Sequence, residues 1–255
     1  MKKVTDFHVV EVQHLSHDTF IIVLQGTEPV IAVLPGQFAE VEVPGSPEVF
    51  LRRPLSVHGC DPVAGTISFY VKVVGKGTAR MSELLPGEKV SVIYPLGNHF
   101  TILEEGRVLL VGGGTGVAPM LMLANKLKKA GAEPVMIIGG RSAADIHISD
   151  AYHAVAEMHV TTEDGSLGVK GRVTDHPLLK EEFNFNRIYT CGPDPMMKAL
   201  SAIAREKGVV CEASLENTMA CGFGACLCCV VKTTDGHKCV CTEGPVFDTT
   251  YLENW

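Results

Sequence analysis

Six of the nine cysteines in this chain fall between Cys221 and Cys241, and four of them, Cys221, Cys226, Cys229 and Cys241, read C-x4-C-x2-C-x11-C. The first two spacings are those of a plant-type [2Fe–2S] loop, in which thiolates hold the cluster while backbone amides face its sulfides. Gly222 and Gly224 suit such a loop, because a chain closing on an anionic cluster must bring its backbone close and turn through positive φ. One-electron chemistry is the first expectation. Zinc is the competing one, since Cys226-x2-Cys229 with Cys239-x-Cys241 could make a tetrahedral four-thiolate site, although it gives Cys221 and the glycines no role. Cys228 and Cys239 are surplus thiols. Cys239 stands two residues before Cys241, so a regular strand would turn both to one face, and spacing alone does not choose between them.

Further constellations suit phosphate-bearing ligands. In Leu51-Arg52-Arg53-Pro54-Leu55-Ser56-Val57, a strand would present a guanidinium and a hydroxyl to one ligand, though Arg-x-x-Ser also arises by chance. Tyr70-Val71-Lys72 leads to Gly75-Lys76-Gly77-Thr78, where Gly77 and Thr78 offer amides and a hydroxyl at a helix start, or Thr78 serves as a plain N-cap. Gly112-Gly113-Gly114-Thr115-Gly116-Val117-Ala118-Pro119 lies between a buried-type strand and a helix, where the phosphates of a dinucleotide can approach the backbone. It is neither a Rossmann fingerprint, because Val117 holds the third glycine position, nor a P-loop, because no Lys-Ser/Thr follows. Cys191-Gly192-Pro193 closes another strand, at the sheet edge where ligands bind, although Cys191 reads equally as a small buried residue. Glu163 and Asp164 after a strand offer carboxylates that suit ribose hydroxyls and repel a 2′-phosphate, or read equally as solvated acids of an exposed turn, while Arg141 could support a 2′-phosphate.

The elements that must carry these residues change character along the chain. Up to about residue 103, short β-type runs at Thr19–Leu24, Phe38–Val43, Thr66–Val74 and Lys89–Ile93 alternate with Pro-Gly turns, predicting a small antiparallel barrel. From 104 to about 210 strands and helices alternate: Val108–Val111, helix Met120–Lys129, Pro134–Ile138, Met158–Thr162, Arg187–Thr190 and helix Pro195–Lys207, the pattern of a parallel α/β domain. Residues 211–255 form the cysteine-rich module. A net charge of −7, with no basic run longer than Lys126–Lys129, argues against nucleic-acid binding. The N-terminus has no apolar leader and no stretch approaches a membrane span, so a cytoplasmic protein is expected.

In this fixed order the motifs resemble the ferredoxin–NADP reductase superfamily, which joins an FAD-binding barrel bearing Arg-x-[aromatic]-Ser to a nucleotide domain bearing Gly-Gly-Gly-Thr-Gly-x-[Ala/Ser]-Pro and Cys-Gly-Pro. The tail narrows the resemblance. Glu216–Cys226, with Cys241-Thr242-Glu243-Gly244-Pro245-Val246-Phe247, is similar to the electron-transfer subunits of class 1B dihydroorotate dehydrogenases. The resemblance spans essentially the whole chain. It implies an N-terminal antiparallel FAD-binding β-barrel, a parallel α/β NAD-binding domain and a C-terminal ferredoxin-like [2Fe–2S] module.

The same resemblance implies roles for particular residues. Arg53, Pro54, Leu55 and Ser56 would bind FAD, Tyr70, Val71 and Lys72 would flank the flavin, and Gly77 with Thr78 would hold phosphates. Gly112, Gly113, Gly114, Thr115 and Gly116 with Gly192 and Pro193 would form the nicotinamide-nucleotide cleft, with Cys191 near hydride transfer. Cys221, Cys226, Cys229 and Cys241 would be the cluster ligands, Cys241 because it abuts the Thr-Glu-Gly-Pro-Val-Phe segment. Leu55 departs from the family's aromatic, leaving flavin stacking to another group such as Tyr70. The chain has no eight-unit βα barrel and no evident general base for oxidising a carbon acid, so the resemblance implies an FMN-bearing catalytic partner, in a heterotetramer of two of each subunit. Electrons would then pass through the cluster and FAD to NAD+ in pyrimidine (UMP) synthesis. The small subunit of a ferredoxin–NADP transhydrogenase or a sulfhydrogenase, and a zinc-stabilised non-redox binding protein, are the alternatives.

Overall fold

The computed structural model describes residues 2–180 and 183–255. Strands β1 (Lys3–His14), β2 (Thr19–Gly26), β3 (Phe38–Val41), β4 (Arg53–Asp61), β5 (Thr66–Lys72) and β6 (Lys89–Leu96) close an antiparallel barrel in the order β1-β2-β5-β4-β3-β6. Alternation decides what points inward. Phe20, Ile22 and Leu24 of β2 and Val90, Val92 and Tyr94 of β6 are buried, whereas Ile21, Val23, Ser91 and Ile93 between them are only partly covered. The expected strands are present. β1 is an addition, with Phe7 and Val9 turned into the barrel and a bulge between Val9 and Glu11. Helix α1 (Lys76–Ser82) follows β5 and sets Met81 into the barrel core.

The second half alternates as the sequence predicts. β7 (Arg107–Gly113), α2 (Met120–Ala130), β8 (Glu133–Gly140), α3 (Asp150–His153), β9 (Glu157–Thr162), β10 (Val169–Lys170), α4 (Pro177–Lys180), β11 (Arg187–Cys191), α5 (Asp194–Lys207) and β12 (Val210–Ser214) follow in order. α2 stops at Gly131, whose φ of +114° suits a residue without Cβ, and Lys128 and Lys129 complement its C-terminal dipole. The tail adds the hairpin β13 (Val230–Thr233) and β14 (Gly236–Cys239), the single turn α6 (Val240–Glu243) and β15 (Val246–Asp248).

The large sheet has the order β10-β9-β8-β7-β11-β12-β15, parallel throughout except that β15 runs against β12. Two consequences position the site. From β7 the chain builds outward through β8, β9 and β10, then returns to the other side of β7 with β11, so the carboxyl ends of β7 and β11 flank a topological switch point. The cysteine-rich tail, moreover, leaves the sheet after β12 and re-enters it as β15. An apolar seam then joins all three parts: Phe38 and Leu96 of the barrel pack with Met197 of α5, Ala213 of β12 and Cys229, Val240 and Cys241 of the tail.

Candidate functional site

A cleft of about 310 Å³ opens where the three parts meet. Its barrel wall is Arg53–Ser56 of β4 and Tyr70–Lys72 of β5, strands set beside one another by the barrel register. Thr115 and Ala118 of the glycine turn form a second wall, and Leu215, Glu216, Asn217 and Met219, leading to Cys221, form the third. A second cavity of about 340 Å³ adjoins it past Arg53 and Thr78 and reaches Gly75, Lys76 and Gly77. Gly77 permits that continuity, since a Cβ there would lie 2.6 Å from Arg53 Nε. An elongated cleft with a guanidinium at the waist and an apolar wall fits a flavin dinucleotide.

Details on the barrel side refine the expectations. α1 begins at Lys76, so Thr78 occupies its third position rather than the N-cap. Its hydroxyl accepts from the Val74 and Gly75 amides at 2.9 and 3.3 Å and donates to the Gly75 carbonyl. Tyr70 and Phe38 are the aromatic residues lining the cleft with Leu55, and burial, with Asp18 and Asp145 nearby, drives the Tyr70 phenol far above the usual range. Lys72 Nζ lies 3.1 Å from Asp18 and 3.9 Å from Asp145, linking the barrel to the loop after β8. Burial opposes ionisation of Asp18, but hydrogen bonds from Lys72, Ser16 and Thr19 outweigh it and hold its carboxyl at about 2.

At the switch point, the two nucleotide motifs touch. Gly112 and Gly113 end β7, and Gly114–Val117 makes a 3-10 turn into α2. A Cβ on Gly116 would fall 2.0 Å from the Cys191 carbonyl oxygen, and one on Gly192 (φ +144°) would fall 2.8 Å from that of Gly113. The glycines are therefore required for one loop to lie on the other. His58, two residues beyond Ser56, donates from Nδ1 to the Ala118 carbonyl at 2.9 Å and so ties β4 to this turn.

Cys191 itself is 1 % exposed and does not line the cleft. Burial, with Glu216 beside it, pushes its thiol far up, and its Sγ lies 4.0 Å from Glu216 Oε1. Glu216 keeps an exposed edge, yet the cleft desolvates its carboxyl and, with Asp194 near, raises it. Glu163, Asp164 and Arg141 share one exposed edge, where the amides of Glu163 and Asp164 bond the carbonyls of Gly140 and Arg141 at 3.1 Å.

In the tail the candidate ligands stand as two pairs. The free thiols of Cys221 and Cys226 lie close enough to influence each other, as do those of Cys241 and Cys229, and Cys229 Sγ accepts from the Cys241 amide at 3.4 Å. Partial burial works against ionisation of Cys221. The Phe223, Cys226 and Ala225 amides, aimed at the sulfur, overcome it and draw the thiol down to about 6. Burial and Cys229 instead push Cys241 up to about 12. Gly222 and Gly224 adopt φ of +73° and +88°, as a loop wrapped on its own amides requires. Amides turned onto thiolates fit an anionic cluster. Among the described residues, no three His, Cys, Asp or Glu side chains converge on one point to hold a single metal ion.

The two surplus thiols differ in placement: desolvation raises the Cys239 thiol, and Cys229, Cys221 and Cys226 lie close enough for their charges to raise it further. Cys239 ends β14, partly exposed, while α6 begins at Val240 and rotates Cys241 inward, so the regular-strand geometry that left the two equivalent is not adopted. Cys228 is exposed. Sequence reasoning missed the cleft roles of Leu215–Met219 and missed Glu40 altogether. Glu40 is an acid within the otherwise apolar run Phe38-Ala39-Glu40-Val41, itself a legible anomaly. Desolvation raises it to about 7 against the pull of Arg52, with Cys221 adding to the rise.

A barrel with an Arg-x-x-Ser strand, joined to a switch-point nucleotide domain and an iron–sulfur loop, defines a flavin- and nicotinamide-dependent oxidoreductase of the ferredoxin reductase type. Residues 6–101 match the oxidoreductase FAD-binding domain, 110–202 the oxidoreductase NAD-binding domain, and 216–253 the iron–sulfur cluster binding domain of dihydroorotate dehydrogenase B. The dihydroorotate dehydrogenase B (NAD(+)) electron transfer subunits of Shouchella clausii and Fusobacterium nucleatum are each 37% identical over 96% of both chains. That of Geobacillus kaustophilus is 41% identical over 84% of both. The chain belongs to this family of electron transfer subunits. A solved NADH-dependent reduced ferredoxin–NADP oxidoreductase, studied for flavin-based electron bifurcation, superposes with a TM-score of 0.88 at 33% identity, covering 97% of this chain and 89% of the other. The ferredoxin reductase of carbazole 1,9a-dioxygenase shares the fold, with a TM-score of 0.71 over 82% of this chain and 67% of its own at 24% identity. No helix among the described residues is long and apolar enough to cross a membrane.

Proposed function

We propose that this chain carries electrons from the FMN of a catalytic dihydroorotate dehydrogenase subunit through a [2Fe–2S] cluster and FAD to NAD+, in a cytoplasmic heterotetramer of two subunits of each kind serving pyrimidine (UMP) synthesis. One observation carries the reading: a single cleft is walled by the barrel, by the nucleotide switch point and by the segment entering the cysteine loop. A flavin bound there supplies the exchange between electron pairs and single electrons.

The residues divide the work. Arg53 holds the diphosphate, with Pro54, Leu55 and Ser56 beside it and Gly77 and Thr78 at the start of α1. Tyr70, Val71 and Lys72 flank the ring, and Tyr70 supplies the aromatic face that Leu55 lacks. Gly112 to Gly116, with Gly192 and Pro193, leave room for the nicotinamide nucleotide, and Cys191 backs that cleft from within the fold. Cys221, Cys226, Cys229 and Cys241 ligate the cluster, and the pairing of their thiols supports this set.

The purified, cofactor-loaded chain should oxidise NADH with an artificial acceptor, and should oxidise dihydroorotate only once the catalytic partner is added. Oxidation of dihydroorotate by the isolated chain would refute the division of labour. The similarity to the solved ferredoxin–NADP oxidoreductase favours a second reading, the small subunit of such a transhydrogenase. Copurification of a ferredoxin-linked partner in place of a dihydroorotate-oxidising one would decide for it.

A further inference from the structure

Glu40 sits in β3 with 1 % of its surface exposed, and neither carboxyl oxygen has a hydrogen-bond partner. The neighbouring arginines lie close enough for their charge to act on the carboxyl but direct their hydrogen bonds elsewhere. Arg52 donates to the Ser91 carbonyl at 2.6 Å, to Ser91 Oγ at 3.0 Å and to the backbone carbonyl of Glu40 at 3.5 Å, and Arg53 donates to the Arg52 carbonyl. On its other side lies the cysteine loop. A Cβ on Gly222 would stand 2.5 Å from Glu40 Cγ and 2.9 Å from Oε1, so the loop backbone rests on the carboxyl immediately beside Cys221.

A buried carboxylate with no hydrogen bond is strongly disfavoured, and an anionic cluster on the adjoining loop disfavours it further. The neutral acid has an O–H to donate. We propose that Glu40 is a positioning residue for electron transfer, a neutral carboxylic acid that donates toward the Cys221 side of the cluster and thereby raises its reduction potential. Hydrogen bonds to the sulfurs are among the levers on iron–sulfur potentials, and the bond strengthens as reduction adds negative charge. The inference rests on the [2Fe–2S] reading of the Cys221 loop.

A redox titration monitored by EPR on the FAD- and cluster-loaded chain tests it with two variants. Glu40→Gln retains a donor of the same length and should keep the wild-type midpoint. Glu40→Met retains the volume without a donor and should favour the oxidised cluster about tenfold, a fall of about 59 mV for a one-electron couple. An unchanged midpoint in Glu40→Met overturns the inference, and so does a rise in both variants, the signature of an ionised carboxylate. Should Glu40→Met fail to load the cluster, the wild type still answers. Its reduced-minus-oxidised infrared spectrum should contain a protonated-carboxyl band that moves on reduction and is missing from Glu40→Gln, and absence of that band in the wild type overturns the inference. A wild-type chain that binds no [2Fe–2S] cluster would overturn the cluster reading as well, whereas a cluster indifferent to Glu40 overturns only the inference.

Discussion

Gly116→Ala should injure the nicotinamide side of the cleft while sparing the flavin side. The added methyl would lie 2.0 Å from the Cys191 carbonyl oxygen, 2.3 Å from its carbon and 2.5 Å from Gly192 N. Ordinary carbon–oxygen contacts begin near about 3.3 Å, so the two loops must separate by more than about 1 Å. All three atoms are backbone, and no side chain can swing aside. Overpacking of this kind costs about 1–3 kcal/mol, and rigid atoms on both sides place it near the top of the range. For a chain of this size, that is a fall in melting temperature of about 6–12 °C. Displacing a substrate-positioning loop by about 1 Å lowers turnover by about a hundredfold. The assay is NADH oxidation with an artificial acceptor, with FAD content measured by released fluorescence as the control. Gly114→Ala is the comparison. Gly114 has a φ of +56° and a Cβ added there would meet nothing within 4 Å, so this variant should lose only the roughly 1–2 kcal/mol of a left-handed residue. Wild-type kcat/KM and melting temperature in Gly116→Ala would refute the claim that the two motifs are held in contact.

Two further outcomes are expected. Cys241→Ser should abolish the visible absorption and EPR signal of the cluster, whereas Cys239→Ser and Cys228→Ser should retain both; loss in Cys239→Ser with retention in Cys241→Ser would reverse the ligand assignment. Asp18, lowered from 3.8 to about 2 in the folded chain, contributes stability that is present above the unfolded value of 3.8 and is lost as pH falls through about 2. The difference in unfolding free energy between wild type and Asp18→Asn should therefore shrink over that window in denaturant titrations, and a difference that persists undiminished at the acid end would contradict the Lys72 pairing.

Much of this architecture was legible locally, because alternation and turn chemistry act over a few residues. β2, β6 and α2 show their buried faces in the sequence itself, and Gly131 marks the end of its helix. β1 carries the same signal in Phe7 and Val9, but its bulge before Glu11 breaks the period, so the pattern weakens where the strand bends. β15 is only three residues long and owes its conformation to pairing with β12, which no local pattern reports. The different placement of Cys239 and Cys241 has the same character, since it depends on where the β14 hairpin gives way to the α6 turn, with Val240 and Cys241 packed into the shared apolar seam.

That seam explains why the cleft was harder to read than the motifs lining it. Ser56 and Glu216 stand far apart in the chain, yet they line one cleft because β12 delivers the tail against the barrel and β15 pins it there. The cysteine loop is thus held by the sheet on both sides of its own sequence rather than appended as a mobile module. Electron transfer needs fixed separations between its carriers, and a tail anchored at both ends and packed against Phe38 provides them without a domain movement. The same anchoring presses Gly222 onto Glu40, so the contact that fixes the loop in place also puts a proton-bearing side chain beside the cluster.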